Sequence, residues 1–279
     1  MSDLAIDGKV PRDAMAQRRR RVARRDRWAT VVSILVVAVV IIGWCVGSGL
    51  RLVSPLFLPS PWRVVHQAVV IARNGYAGAT LWEHAAASLL RVMVGFAIAT
   101  SLAIPIGLAM GINRFVKAIV HPVLEFYWPL PPLAYLPLVI IWLGIDETSK
   151  IVLLTAAMFG PICMAAQAGV RSVPIERVHA AQSLGATARQ VFLHIVLPSA
   201  LPEIFTGLRI AMGVGWGTLV AAELVAATRG IGFMILSASN FLATDIVFIG
   251  IAVIAVCAIG SSMAVRAMER VLVPWKGRS

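Results

Sequence analysis

At 279 residues, 59 % hydrophobic and only 14 % charged, with a mean hydropathy of +0.86, the chain has the composition of one integral membrane domain and not of a soluble enzyme. Its net charge of +12 would suit a nucleic-acid partner. Most of that excess lies in one N-terminal run without interleaved stacking aromatics, so a nucleic-acid function is set aside.

Residues 1–27 read as a basic cytoplasmic tail with RRRRVARR at its centre, and residues 28–279 as the membrane domain. The uncharged run from Trp28 to Leu50 exceeds a signal-peptide core and suffices to cross roughly 30 Å of hydrocarbon, so it is expected to be a retained first span. The arginine cluster before it places the N-terminus in the cytoplasm. Arg51 to His84 is then expected outside. SPLFLPSP, Ser54 to Pro61, cannot be a helix interior, because its prolines lack donors and push preceding residues toward extended backbone. A short surface helix should start at Pro61, capped by Ser60, carry Trp62, Val65 and Val69 on its apolar face, and end at Asn74-Gly75.

Uncharged runs at Val92 to Asn113, Phe126 to Ile145, Ile151 to Val170 and Ile246 to Val265, with a charged-residue-bearing run at Ile204 to Ala226, bring the expectation to about six spans. GxxxG spacings at Gly43/Gly47, Gly107/Gly111 and Gly213/Gly217 permit close helix packing, though such pairs also arise by chance. In the run from Trp128 to Pro137, repeated proline frees carbonyls that lipid cannot satisfy. That span should be broken against protein or a water-filled cavity. It is equally readable as a kinked structural helix.

Glu223 stands 14 residues beyond Arg209, about 21 Å at helical rise, and so is expected toward the outer face. It is a candidate for the translocation path, or it snorkels or pairs with Arg229. Arg91 carries the same ambiguity. Ala226 to Asp245 should form a glycine-hinged re-entrant or surface helix, in which Ser237 and Asn240 face either a cavity or the outer water.

Between the spans lies a polar island, about residues 171–202, that reads as helix–turn–helix and is where function is expected. Ser172 should cap a first helix with Pro174 in its first turn, and Gly185 should end that helix in the left-handed conformation. Thr187 and Gln190 make a capping box for a second helix, which Leu197-Pro198 should close. Ala180, Ala181 and Gly185 give the first helix a small-residue surface suited to docking. An ordinary interfacial amphipathic hairpin is the alternative.

Several chemistries are missing. The chain has no GxxxxGK[ST] phosphate loop, no HExxH and no Ser/His/Asp context, so no catalytic residue and no means of hydrolysing ATP is visible. Cys45, Cys163 and Cys257 read as small hydrophobes, and the histidines lack metal-ligand spacing, so no metal site is expected.

The island resembles the coupling loop of ABC importer permeases, whose pattern is Glu-Ala-Ala, three residues, Gly, nine residues, Ile-x-Leu-Pro. Ala180, Ala181, Gly185, Ile195, Leu197 and Pro198 match it, while His179 stands where the pattern has Glu. The resemblance extends over SPLFLPSP, ATLWEHAAASLLR (Ala79 to Arg91), Pro129 to Lys150, Leu201 to Met234 and Phe241 to Ala255, and is strongest toward taurine permeases; alkanesulfonate and nitrate permeases share much of the pattern. It implies an all-α integral membrane protein of about six spans with a cytoplasmic coupling-helix loop, in a bacterial inner membrane, both termini cytoplasmic. It further implies a second copy of the chain, two cytoplasmic ABC ATPase subunits and a periplasmic substrate-binding protein. No cofactor is expected in this chain, with ATP and Mg held by the ATPase. The function implied is a permease subunit importing taurine or another small organosulfonate. An ion-coupled secondary transporter is the reading from a different class, disfavoured by the lack of mid-membrane ionisable groups and of two related halves.

Overall fold

A computed structural model describes residues 12–50 and 52–275. The start of the basic tail, residues 1–11, and the last residues, 276–279, lie outside the described residues. By its contacts the chain divides into two units, Met1–Arg63 and Val64–Ser279, and no strand occurs among the described residues.

The first unit contains helix α1 (Arg12–Gly49), in which the tail and the first apolar run share one helix. Val36, Val40 and Ile42 are more than half exposed, as suits side chains whose solvent is lipid. From within the helix, Trp44 Nε1 donates to the Pro59 carbonyl at 2.9 Å, tying down the proline-rich segment that cannot itself be helical. Ser60 Oγ then accepts from Arg63 N–H at 3.4 Å and starts α2 (Pro61–Asn74), which ends at Gly75 with φ +77. This start and stop fall where the residues predict them.

The second unit is a bundle built on α3 (Leu81–Ile112), α6 (Glu147–Arg171) and α9 (Leu197–Ala226). Val92, Ala99, Leu154, Met158, Ile162, Leu208 and Met212 are among the side chains of its buried core. Helices α3 and α6 run parallel: a Cβ on Gly107 would lie 2.4 Å from the Cys163 carbonyl oxygen, and one on Gly111 would lie 2.5 Å from Val170 Cβ. Of the three GxxxG pairs, this is the one that makes a close helix contact, which a larger residue would force apart. No atom lies within 4 Å of the Cβ positions of Gly43, Gly213 or Gly217. Helix α9 returns antiparallel beside α6, with Ala200 against Gly169 and Gly215 against Met158. A second core, around Ile71, Leu81, Ile231, Met234 and Ile249, packs α10 (Ile231–Asn240) and α11 (Thr244–Leu272).

One sequence expectation changes and one is met. The second span begins at Leu81, not Val92, because Thr80 and Glu83 form a capping box, with Glu83 N–H donating to Thr80 Oγ1 at 3.3 Å and Thr80 N–H to Glu83 Oε2 at 2.7 Å. The polar residues His84 and Arg91 are therefore inside the helix. The run Phe126 to Ile145 is broken, as its prolines predict: α4 (Arg114–Tyr127) and α5 (Pro132–Leu143) are bent by 102° at the break, because Pro129, Pro131 and Pro132 deny donors to a continuous ladder. Among the described residues, four helices are long and apolar enough to cross a membrane, or five if the bent pair counts as one, with Ile34–Gly49 a further, shorter apolar stretch.

Candidate functional site

Two polar regions stand at opposite ends of α6. One lies beyond its C-terminus. Ser172 is the C-cap of α6 and donates from Oγ to the Gly169 carbonyl at 2.9 Å, so it does not cap the island's first helix. That helix, α7 (Ile175–Ser183), starts after Pro174 without a side-chain cap. The rigid φ of proline sets the angle at which the chain enters the helix, and its missing N–H is no loss at a helix start.

The end of α7 does match the sequence reading. Gly185 has φ +83, Gly185 N–H donates to the Gln182 carbonyl at 2.9 Å and Ala186 N–H to the Ala181 carbonyl at 3.0 Å. This paired pattern is a Schellman stop, and it needs a residue that tolerates the left-handed region. Nothing lies within 4 Å of a Cβ built on Gly185, so conformation and not space requires glycine there. Thr187 and Gln190 then form the expected capping box, with Thr187 N–H donating to Gln190 Oε1 at 2.8 Å and Gln190 N–H to Thr187 Oγ1 at 3.4 Å.

The second helix of the island departs from expectation. Helix α8 (Ala188–Val191) passes through a π-turn (Phe192–Val196) straight into α9, giving one continuous helical stretch, Ala188–Val225. Leu197-Pro198 therefore opens α9 and does not close the second helix. Pro198 has no N–H and would crowd the carbonyl four residues back in a regular α-helix; the wider turn, with Leu197 N–H donating to the Phe192 carbonyl, accommodates it.

Helix α7 has no buried residue. His179, Ala180 and Gly185 are exposed and Ala181 half-buried, and Leu184 at its tip is 89 % exposed. Ile195, Leu197 and Pro198 are half-buried where the stretch enters the bundle.

The other region gathers charge at the N-termini of α3 and α6 and the C-terminus of α9. Glu223 is fully buried. Its carboxylate accepts from Arg91 Nη1 at 2.6 Å, from Ser88 Oγ at 2.8 Å and from Gly232 N–H at 2.8 Å. Ser88 Oγ in turn accepts from Ile231 N–H at 2.8 Å. The first N–H groups of α10 are thus satisfied by a hydroxyl and a carboxylate from two other helices, and the carboxylate suits the positive end of the helix dipole. Gly230, with φ +134, lets the chain turn there, since a Cβ on it would sit 2.4 Å from the Glu223 carboxyl carbon. Gly230 N–H donates to His84 Nδ1 at 3.1 Å, and His84 Nε2 lies 2.9 Å from the Tyr76 carbonyl. These partners assign the proton to Nε2.

Arg91, 5 % exposed, uses its remaining donors outward. Nη1 also reaches the Arg229 carbonyl at 2.7 Å, while Nε and Nη2 grip both oxygens of Glu147 at 2.5 and 2.7 Å. Lys150 Nζ donates to the same carboxylate at 3.0 Å. Glu223 therefore neither snorkels nor pairs with the Arg229 side chain: Arg91 is its partner, and Arg229 contributes backbone. Ser237, half-buried, and Asn240, exposed, lie further along α10 and are not joined to this cluster.

The sequence pointed to Arg91 and Glu223 separately and did not mark His84, Ser88, Glu147 and Lys150 as members. One signal was available: His84, Ser88 and Arg91 recur at helical spacing on one face, the pattern of residues that share a neighbour. Elsewhere, Arg209 approaches Glu269 at 3.7 Å beside a cavity of about 340 Å³ lined by Arg270, Val273 and Pro274.

Residues 103–276 match the family described as binding-protein-dependent transport system inner membrane component. The chain is 52 % identical over 262 residues to the taurine transport system permease protein TauC of Escherichia coli (strain K12), covering 91 % of this chain and 95 % of that one. It is 33 % identical over 269 residues to the putative aliphatic sulfonates transport permease protein SsuC of Bacillus subtilis (strain 168), covering 96 % of each. In fold it is similar to a chain of the inward-facing MetNI methionine ABC transporter, with a TM-score of 0.55 at 16 % identity, covering 67 % of this chain and 95 % of that one. With the family match spanning more than half the sequence, the chain belongs to the binding-protein-dependent inner-membrane components, the permease subunits of ABC importers, which work with an ATPase and a substrate-binding protein.

Proposed function

We propose that the chain is the permease of an importer for taurine or a closely related small organosulfonate, carrying it from periplasm to cytoplasm. The observation that carries this reading is the 52 % identity to a taurine permease, sustained across 91 % of the chain. Two copies of the chain form the pathway, both termini lie in the cytoplasm, and residues 28–279 make the membrane domain after the basic tail. Two ATPase subunits bind ATP and Mg and dock on the cytoplasmic ends; a periplasmic binding protein delivers substrate to the end bearing Arg91 and Glu223.

In this reading α7 is the coupling helix. Its exposure without a buried residue suits a helix that seats in a partner's groove, with His179, Ala180, Ala181 and Gly185 at the contact and Ile195, Leu197 and Pro198 anchoring the loop to α9. Closure of the ATPase pair on ATP displaces α7. Helix α6, about 37 Å long at 1.5 Å per residue, carries that displacement to the charge cluster, and α9 runs back beside it, so an impulse at one end reorients the other. Of the residues considered for the path, Arg91 and Glu223 frame the outer end, while Ser237 and Asn240 face it from α10.

Uptake tests the reading. The permease, reconstituted into vesicles with its ATPase and binding protein, is expected to accumulate taurine only with ATP, and to take up longer alkanesulfonates and nitrate less well. Uptake of nitrate or an alkanesulfonate without taurine overturns the substrate; uptake without ATP overturns the importer class. The 33 % identity to an aliphatic-sulfonate permease makes an alkanesulfonate the second reading.

A further inference from the structure

The charge cluster divides into a closed half and an open half. Glu223 is fully buried and Arg91 and Lys150 nearly so, whereas the Glu147 side chain that holds the two cations is 58 % exposed. Arg91 Nη1 is pinned from behind by Glu223 and the Arg229 carbonyl, so the guanidinium keeps its orientation whether or not Glu147 is in place. The outward edge, Nε and Nη2, is the part of an arginine that recognises two oxygens on one centre. Lys150 Nζ supplies a third donor to the same point.

We infer that Arg91 and Lys150 form a preorganised oxyanion receptor whose tethered occupant, the Glu147 carboxylate, yields to the sulfonate group of the substrate. The inference rests on the organosulfonate reading above. A sulfonate presents oxygens on one centre as a carboxylate does, and adds a third that can meet Lys150.

Charge supports the exchange. With Glu147 displaced, two nearly buried cations face one buried carboxylate, and an unpaired buried charge is strongly unfavourable. The receptor therefore demands an anion, while the attachment of Glu147 to α6 gives it an effective concentration in the millimolar range or above. An external sulfonate competes against that and binds weakly, as befits a site that receives substrate from a delivery protein and must release it. The displaced Glu147, exposed and anionic, is then free to meet the ammonium end of a zwitterion.

The test uses the full permease purified with its ATPase in detergent, and reads thermal unfolding in sodium ethanesulfonate against sodium chloride at equal ionic strength. Wild type is expected to show little difference. Glu147→Ala should unfold at lower temperature in chloride and recover in ethanesulfonate by about 3 °C for each tenfold rise above the dissociation constant. Glu147→Gln, which keeps the side chain's shape, should respond in the same direction if the alanine variant is too unstable to purify. Adding Lys150→Gln should weaken the response, ethylammonium chloride should give none, and Glu125→Gln, which removes a negative charge from an exposed site on α4, should behave as wild type.

Equal behaviour in ethanesulfonate and chloride for both Glu147 variants overturns the receptor. Stabilisation by added phosphatidylglycerol with ethanesulfonate inert reassigns the receptor to a lipid head group and overturns the inference. If the wild-type importer transports taurine and neither variant responds to ethanesulfonate, this inference fails and the proposed function stands. A variant response without any sulfonate uptake by the wild type overturns the assignment to substrate.

Discussion

The two ends of α6 hold polar residues under opposite conditions. At its N-terminus Arg91, Glu223, Ser88 and the first N–H groups of α10 satisfy one another inside the fold, with Glu223 fully buried. At its C-terminus α7 carries its polar residues on a helix with nothing buried at all. A buried charge cluster is expensive to disrupt from within, because removing one member strands another in low dielectric. The short exposed α7 is bounded by Pro174 at its start and a Schellman stop at Gly185, and its surface is not covered by the rest of the chain. One end is thus held together by the chain itself, and the other is left exposed.

This contrast breaks first if the buried pair carries little energy. Arg91→Met leaves Glu223 buried without its cation and is expected to cost about 3–5 kcal/mol, seen as a large fall in unfolding temperature and in membrane yield. Arg91→Met with Glu223→Gln should recover a substantial part of that loss. A double variant no better than the single one would mean that the two residues act independently.

Gly230→Ala is the next largest. The substitution forces a Cβ to 2.4 Å from the Glu223 carboxyl carbon at a φ of +134, and about 2–3 kcal/mol of destabilisation is expected from strain and displacement of the carboxylate. Thermal unfolding unchanged from wild type would show that the α9–α10 turn is not locked by the cluster.

At the other end, Gly185→Val places a β-branched residue at φ +83 in open surroundings, with an expected cost of about 1–2 kcal/mol confined to the stop of α7. The variant should reach the membrane, yet co-purify poorly with the ATPase and transport slowly. Wild-type ATPase recovery and transport from this variant would remove the coupling role of α7.

His179→Gln should have the smallest effect, within about 0.5 kcal/mol in stability and with transport retained, because glutamine keeps a donor and an acceptor at an exposed position. Collapse of transport with assembly intact would show that the imidazole itself is needed at the ATPase contact.

Local signals and the class of protein were legible in the residues alone. Apolar composition marked a membrane protein, Ser60 and Asn74-Gly75 bounded α2, and Gly185 with Thr187 and Gln190 bounded the polar turn, because caps and left-handed stops depend on a few neighbouring residues. The motif at Ala180, Ala181 and Gly185 pointed to the permease family. Local signals misled where a competing role for the same residue won: Ser172 closed the preceding helix instead of opening the next, and Pro198 was absorbed by a π-turn instead of ending a segment. The charge cluster was settled by helix packing. Arg91 lies 132 residues from Glu223 and 56 from Glu147, and no periodicity along one chain segment can say which of several ionisable residues in different helices will share a buried site. That choice is made when α3, α6 and α9 pack, since a charge carried into the bundle is tolerable only where the other helices bring its complement.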